Sequence, residues 1–140
     1  MIFKQSDGIK ITLLKEQEEM LQTKDNIKKC IGYNTTLAFD IYDKDDLIGF
    51  VMLDRFDEGC YFLWDYAIDA KFQNKYYGTK SLIKLIKYMK DNFRMHTMTT
   101  TYIFGNTHAK HVYEKVGFIE TDEINNEQTH EVNMILKITD

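Results

Sequence analysis

Seven of the eight residues in Tyr61-Phe62-Leu63-Trp64-Asp65-Tyr66-Ala67-Ile68 are apolar or aromatic, and an amphipathic pattern begins only a short loop later. A run this apolar reads as a central strand buried on both faces. From Gly78 to Phe93, Leu82, Leu85, Ile86, Met89 and Phe93 recur at helical spacing, while Lys80, Lys84, Lys87 and Asp91 fall on the opposite side. A buried strand that delivers the chain into such a helix requires a sheet with helices packed on it. The loop between them places backbone N–H groups at the positive end of a helix, a position suited to the phosphates of a nucleotide cofactor.

The flanking segments extend this β-α unit. Ile9 to Leu14 reads as a first strand, and the charged stretch from Lys15 to about Ile31 as helical with unplaced breaks. Thr35 to Tyr42 and Leu47 to Leu53 are rich in β-formers, and the polar Asp43-Lys44-Asp45-Asp46 between them signals an antiparallel hairpin. A second turn is expected at Asp57-Glu58-Gly59. Met98 to Phe104 reads as a strand, Asn106 to Val116 as a short helix closed by Gly117, Phe118 to Thr121 as the strand after it, and Glu131 to Ile138 as the last. Hairpins followed by alternating strands and helices imply a mixed sheet with helices covering it.

Several function classes are excluded by composition. The 140 residues fall in the range of one compact domain, 1–140, and their formal charge of −4 argues against a general nucleic-acid partner. Cys30 and Cys60 are too few for a disulfide framework and lack metal-site spacing. No window approaches the roughly 20 apolar residues of a membrane span, so a soluble cytoplasmic protein without membrane partners is expected. Charge is nonetheless divided along the chain. Residues 71–94 hold Lys71, Lys75, Lys80, Lys84, Lys87, Lys90 and Arg94 against Asp91, whereas residues 40–65 hold eight acids against Lys44 and Arg55. A basic half of this kind attracts phosphates and an acidic half a polycationic amine, although most of these side chains individually read as ordinary solvated positions.

The strand-loop-helix at residues 61–80, followed by Asn106-Thr107-His108-Ala109-Lys110-His111-Val112-Tyr113-Glu114-Lys115-Val116-Gly117-Phe118, resembles the GNAT superfamily of acyl-CoA-dependent N-acetyltransferases. The resemblance covers roughly Leu47 to Leu136. Leu47-Ile48-Gly49-Phe50-Val51-Met52, Tyr61-Phe62-Leu63-Trp64 and Ile68-Asp69-x-x-Phe72-Gln73 look most like bacterial diamine and polyamine acetyltransferases, which tend to carry Arg in place of Asp65 and glycines in place of Asn74 and Tyr76. The resemblance implies an α/β (α+β) single domain with a mixed, mostly antiparallel twisted sheet of about six or seven strands flanked by about four helices. It also implies acetyl-CoA as co-substrate with no metal, a small amine as acceptor, and a homodimer, as in many of its members. Composition leaves the dimer open, because an aromatic-rich core accounts for the aromatic content equally well.

The resemblance further implies a division of labour. Pantetheine lies beside Tyr66, Ala67 and Ile68, and the pyrophosphate sits on the N–H groups of Gln73, Asn74, Lys75, Tyr76, Tyr77, Gly78 and Thr79, with Lys75 and Lys80 the basic side chains best placed beside them. Only Gly78 remains of the glycines such a loop uses for freedom at positive φ. Asn74 tolerates the left-handed region, but Tyr76 does so poorly, so either that position does not need positive φ or cofactor affinity is weakened. Asn106 and Ala109 flank the pantetheine arm, and an Asn in this place also caps a helix. Tyr113 is the expected proton donor to the leaving thiolate, because its reference pKa near 10 suits a thiolate's need for a proton. Asp65, three residues before Ile68, is the candidate acceptor of the amine's proton, with Glu58 and Glu120 as competitors. His108 and His111 lack a third ligand and read as surface histidines. Two alternatives stand beside a polyamine acetyltransferase: a degenerate domain that binds acyl-CoA or serves in assembly without turnover, and an enzyme for an antibiotic, amino-acid or peptide amine.

Overall fold

The computed structural model describes residues 1–138. Seven strands form one sheet in the order β1-β2-β3-β4-β5-β7-β6. They are β1 (Ile2–Gln5), β2 (Thr36–Asp43), β3 (Asp46–Asp57), β4 (Cys60–Ile68), β5 (Thr97–Ile103), β6 (Ile119–Asn125) and β7 (His130–Lys137), with helices α1 (Lys15–Met20), α2 (Lys24–Ile31), α3 (Tyr77–Phe93) and α4 (Thr107–Val116). Every neighbouring pair is antiparallel except β4 and β5. The mixed, mostly antiparallel sheet with four helices is the expected architecture.

Alternation along the strands feeds two cores, one on each face of the sheet. Ile41, Val51 and Leu53 point to the face on which α3 contributes Leu82, Leu85 and Met89. Ala38, Phe50 and Met52 point the other way, where α2 contributes Ile27 and Cys30. The central strand is less uniformly enclosed than its composition suggests. Tyr61, Leu63, Asp65, Ala67 and Ile68 are buried, but Phe62, Trp64 and Tyr66 are only half-buried.

The expected strand at Ile9 to Leu14 is not one, and a strand the pattern did not reveal takes its place. Ile2–Gln5 pairs with Phe39–Tyr42 and occupies the outer edge of β2. The alternation of Ile9, Ile11 and Leu13 is real, but it packs an irregular segment onto the second core rather than into the sheet. Three polar links fix that segment: Lys10 Nζ lies 2.8 Å from Asp40 Oδ2, Thr12 N–H donates to Asp69 Oδ2 at 2.9 Å, and Ala70 N–H donates to the Thr12 carbonyl at 2.8 Å. The helical stretch after it breaks at Leu21 to Thr23, and Thr23 caps α2 by accepting from Asn26 N–H.

Asp69 holds this crossing, since its second oxygen also accepts from Lys71 N–H at 2.8 Å. Replacing it takes the acceptor from two backbone donors in a partly buried place, at a cost of about 1 kcal/mol each, the low end for a lost partner. Asp69→Ala is expected to lower the urea midpoint, corresponding to a loss of about 2 kcal/mol, with the slope of the transition unchanged.

Candidate active site

Parallel pairing of β4 with β5 is confined to Cys60–Phe62 against Thr97–Thr99. Beyond Phe62 the strands part: β5 continues to Ile103 on β7 while β4 continues to Ile68 on β3. A bulge in β4 accompanies the separation. Leu63 lies opposite Leu53 and Asp65 opposite Met52, which leaves Trp64 as an extra residue. One extra residue bends the strand and reverses the phase of its side chains. Tyr61, Leu63 and Tyr66 therefore face the α3 side, and Trp64, Asp65 and Ala67 face the α2 side. The Thr100 hydroxyl, donating to the Leu63 carbonyl at 3.2 Å, is a link across the base of the opening.

Which backbone groups of β4 line the opening follows from the ladder. Asp69 N–H donates to the Ile48 carbonyl, which makes Gly49 and Ile68 a non-hydrogen-bonded pair. The N–H and C=O of Ile68 thus turn away from β3 into the opening, as do those of Tyr66, whereas those of Ala67 are used by Phe50. The Ile68 carbonyl accepts from the side-chain amides of Gln17 at 3.0 Å and Gln73 at 2.8 Å.

At the wide end of the opening the chain makes a 3-10 turn, Ala70–Phe72, and enters α3 through two left-handed residues, Asn74 with φ 60° and Tyr76 with φ 63°. Positive φ is thus required at both positions where the sequence lacks glycine. Gly78, in contrast, lies within the helix and makes no use of its freedom at positive φ. A β-carbon there would meet nothing within 4 Å, so the space before the first turn of α3 is open. No side chain caps that turn, and its N–H groups carry the positive end of a 17-residue helix dipole. Tyr76 is 79% exposed. Its ring has Lys115 Nζ 5.8 Å above it, while Lys75 and Lys80 each lie 5.9 Å from the rings of Phe72 and Tyr77. The Tyr77 hydroxyl donates to Asp43 at 2.8 Å, tying the loop to the hairpin, and the Tyr66 hydroxyl donates to the Gly78 carbonyl at 2.5 Å, tying β4 to α3. Thr79 is half-buried in the same turn.

The opposite wall is α4. Asn106 caps it by accepting from Ala109 N–H at 3.2 Å, and its amide nitrogen lies 3.1 Å from the Met20 sulfur of α1. Tyr113 lies on the face of α4 that packs on the α3-side core, 5.5 Å from the Phe118 ring. Burial pushes its phenol above the ordinary tyrosine range, opposed by a hydrogen bond with Thr100 and reinforced by the charge of Asp65.

Asp65 is 3% exposed and on the α2 side. Burial pushes its carboxyl upward, opposed by hydrogen bonds from Gln22. Its competitors lie elsewhere. Glu58 is in the turn before Cys60, at the other end of β4 from Ile68, and Glu120 is engaged by the Tyr102 hydroxyl at 2.7 Å and by Lys110. His108 and His111 are exposed, and among the described residues no three His, Cys, Asp or Glu side chains could hold a metal. Gln17, Gln22 and Thr100 were not singled out by the sequence, since polar residues in a charged helical stretch and a Thr in a strand carry no motif.

The sequence model of the Acetyltransferase (GNAT) family matches residues 10–118. The chain belongs to this family. The match reaches further toward the N-terminus than the motifs read from the sequence. Among curated proteins, the GNAT chain is 30% identical over 88 residues to the spermine/spermidine N(1)-acetyltransferase of Bacillus subtilis, covering 63% of this chain and 51% of that protein. The chain thus spans about half the length of the curated relatives it matches. Among solved structures it resembles a spermidine N-acetyltransferase from Vibrio cholerae in complex with CoA and spermine, at a TM-score of 0.70 and 21% identity over 87% of this chain and 79% of that one. A dodecameric structure of the Vibrio cholerae protein matches at a TM-score of 0.67 and 21% identity, over 82% and 74% of the two chains. These likenesses establish the GNAT fold.

The left-handed β-carbon at Tyr76 costs about 1 kcal/mol or more that a glycine would not. Tyr76→Gly is therefore expected to raise the urea midpoint and Tyr76→Val, with its branched β-carbon, to lower it.

Proposed function

We propose that this protein is an acetyl-CoA-dependent N-acetyltransferase whose acceptor is the primary amine of a small cationic molecule, a polyamine or diamine first. The observation that carries the reading is the disposition of Asp65 and Tyr113 toward opposite faces of the sheet at the β4–β5 opening. A thioester lying in that opening has a proton acceptor on one side and a proton donor on the other. The neutral amine nitrogen attacks the thioester carbonyl carbon, and the nitrogen, now carrying positive charge, gives its proton to Asp65, directly or through a water. The oxyanion is met by backbone N–H near Ile68, and as the carbon–sulfur bond breaks Tyr113 protonates the departing thiolate. Acetyl-CoA supplies the acyl group and the leaving thiol.

Tyr66 and Ile68 offer backbone groups to the pantetheine amides, and the first turn of α3 with the 73–79 loop offers N–H groups to the pyrophosphate, assisted by Lys75 and Lys80. Asn106 and Ala109 border the same arm. The family supports the reaction type. The polyamine choice is supported by the Bacillus relative's spermine/spermidine activity and by the spermine complex of the Vibrio neighbour. A multimeric assembly, a homodimer at its simplest, and a cytoplasmic setting belong to the same reading. No described helix is long and apolar enough to cross a membrane.

Incubation with acetyl-CoA and a panel of amines should release free thiol, with spermidine and spermine foremost. Absence of thiol with every amine, from a folded protein that binds acetyl-CoA in calorimetry, would select the non-catalytic module instead. Tyr113→Phe is expected to lower kcat about 100-fold while leaving the acetyl-CoA Kd unchanged.

The pH profile has predictable limbs. Asp65 must be ionised and its pKa is raised, so kcat/KM should fall with decreasing pH above the ordinary carboxylate range. Tyr113 must be protonated and is also raised, so its basic limb should lie above the ordinary tyrosine range.

A further inference from the structure

Gln22 lies in the break between α1 and α2 and grips Asp65 twice, its backbone N–H donating to Oδ1 at 3.2 Å and its side-chain nitrogen to Oδ2 at 2.6 Å. Two other groups fix how that amide is turned. Asn26 Nδ2 donates to Gln22 Oε1, and the Cys30 thiol reaches the same oxygen at 3.9 Å. Turning the amide over would abandon the Asn26 bond and set the oxygen against the carboxylate. The NH2 group is thereby committed to Asp65.

A carboxylate has about four acceptor directions. Gln22 fills two and leaves the others for an amine or its relay water. Tyr113 from α4 and Cys30 from α2 both feel the charge of Asp65, and the same thiol also feels Lys29 on α2 and Asp54 on β3. At Asp65 itself, what opposes burial is the pair of hydrogen bonds from Gln22.

We infer that Gln22, oriented by Asn26, is a positioning residue that keeps Asp65 ionised and aimed at the β4–β5 opening. The inference rests on the reading of Asp65 as proton acceptor, and it extends the reaction to the α1–α2 break, a segment with no motif. Because Gln22 belongs to a connection between helices rather than to the sheet, the readiness of the base depends on how that connection sits.

The test separates a positioning role from a structural one. In Gln22→Met, which keeps the length of the side chain and removes the donor, the titration midpoint of the Asp65 carboxyl, followed by carbon-13 NMR in the absence of ligand, should rise by about one pH unit. Gln22→Glu should raise it further by placing like charge beside it, and Asn26→Ala, on an exposed helix surface, should raise it by less. The acid limb of kcat/KM should move with the midpoint, activity should recover at higher pH, and the acetyl-CoA Kd should not change. An unmoved midpoint in Gln22→Met, or an equal loss of activity at every pH, overturns the inference. Should Gln22→Met fail to fold, Asn26→Ala decides in the same way. The NMR midpoint reports on the clamp whether or not Asp65 is the base. An Asp65→Asn enzyme that retains the wild-type acid limb would overturn the base assignment alone.

Discussion

Parallel pairing between β4 and β5 lasts three residues and then stops, and the candidate site is a consequence of that termination. A sheet that stayed closed would use the N–H and C=O of Tyr66 and Ile68 in its own ladder and would leave no passage between its two faces. The extra residue at Trp64 produces both effects at once: it bends β4 away from β5 and reverses the side-chain phase, so that Asp65 comes to the α2 face and Tyr66 to the α3 face. The acceptor side of the proposed chemistry follows from this single insertion, while Tyr113 is brought by α4. The closing of β5 onto β7, with Thr100 hydrogen-bonded to Leu63, gives the opening a fixed lower limit.

How much of this was legible depends on whether a residue's role is local. The hairpin, α3 and α4 were readable because alternation, helical spacing and the Gly117 terminus are local signals, and the place of Tyr113 on α4 because its motif is contiguous. The bulge was not. When nearly every residue from Tyr61 to Ile68 is apolar, a change of phase leaves no trace in the pattern, so the same richness that marked the central strand concealed its defining irregularity. Ile9 to Leu14 misled for the converse reason, since its alternation reports a buried side but not a hydrogen-bonded partner, and the edge it needed belongs to Ile2–Gln5. The left-handed turns at Asn74 and Tyr76 are imposed by closing the chain between β4 and α3, and no propensity of tyrosine announces them. Gln22 acts through a partner 43 residues away.

The divided charge of the sequence survives in the fold, but with much of the acidic half already committed. Asp40 is paired with Lys10, Asp43 accepts from Tyr77, and Asp54 accepts from Thr35. These acids bind the hairpin to the loops around it more than they form a field for a polycation. Lys75, Lys80 and Lys84 are exposed along the loop and the outer face of α3, where they face a phosphate-bearing molecule arriving from solvent, whereas Lys87 is paired with Asp91 at 2.9 Å. Of the eight acids in residues 40–65, Asp65 is the one that the bulge brings to the opening.

The Ile68 carbonyl, held by the amides of Gln17 and Gln73, casts the arrival of a cofactor as an exchange rather than an addition. A pantetheine amide that takes this oxygen displaces a chemically equivalent donor, so the contact gives register more than affinity. Tight binding must then be drawn from the phosphates at the other end of the molecule. Gln17 also ties α1 to the edge of β4 through this oxygen, so the carbonyl is not a bare acceptor that could recruit a foreign strand.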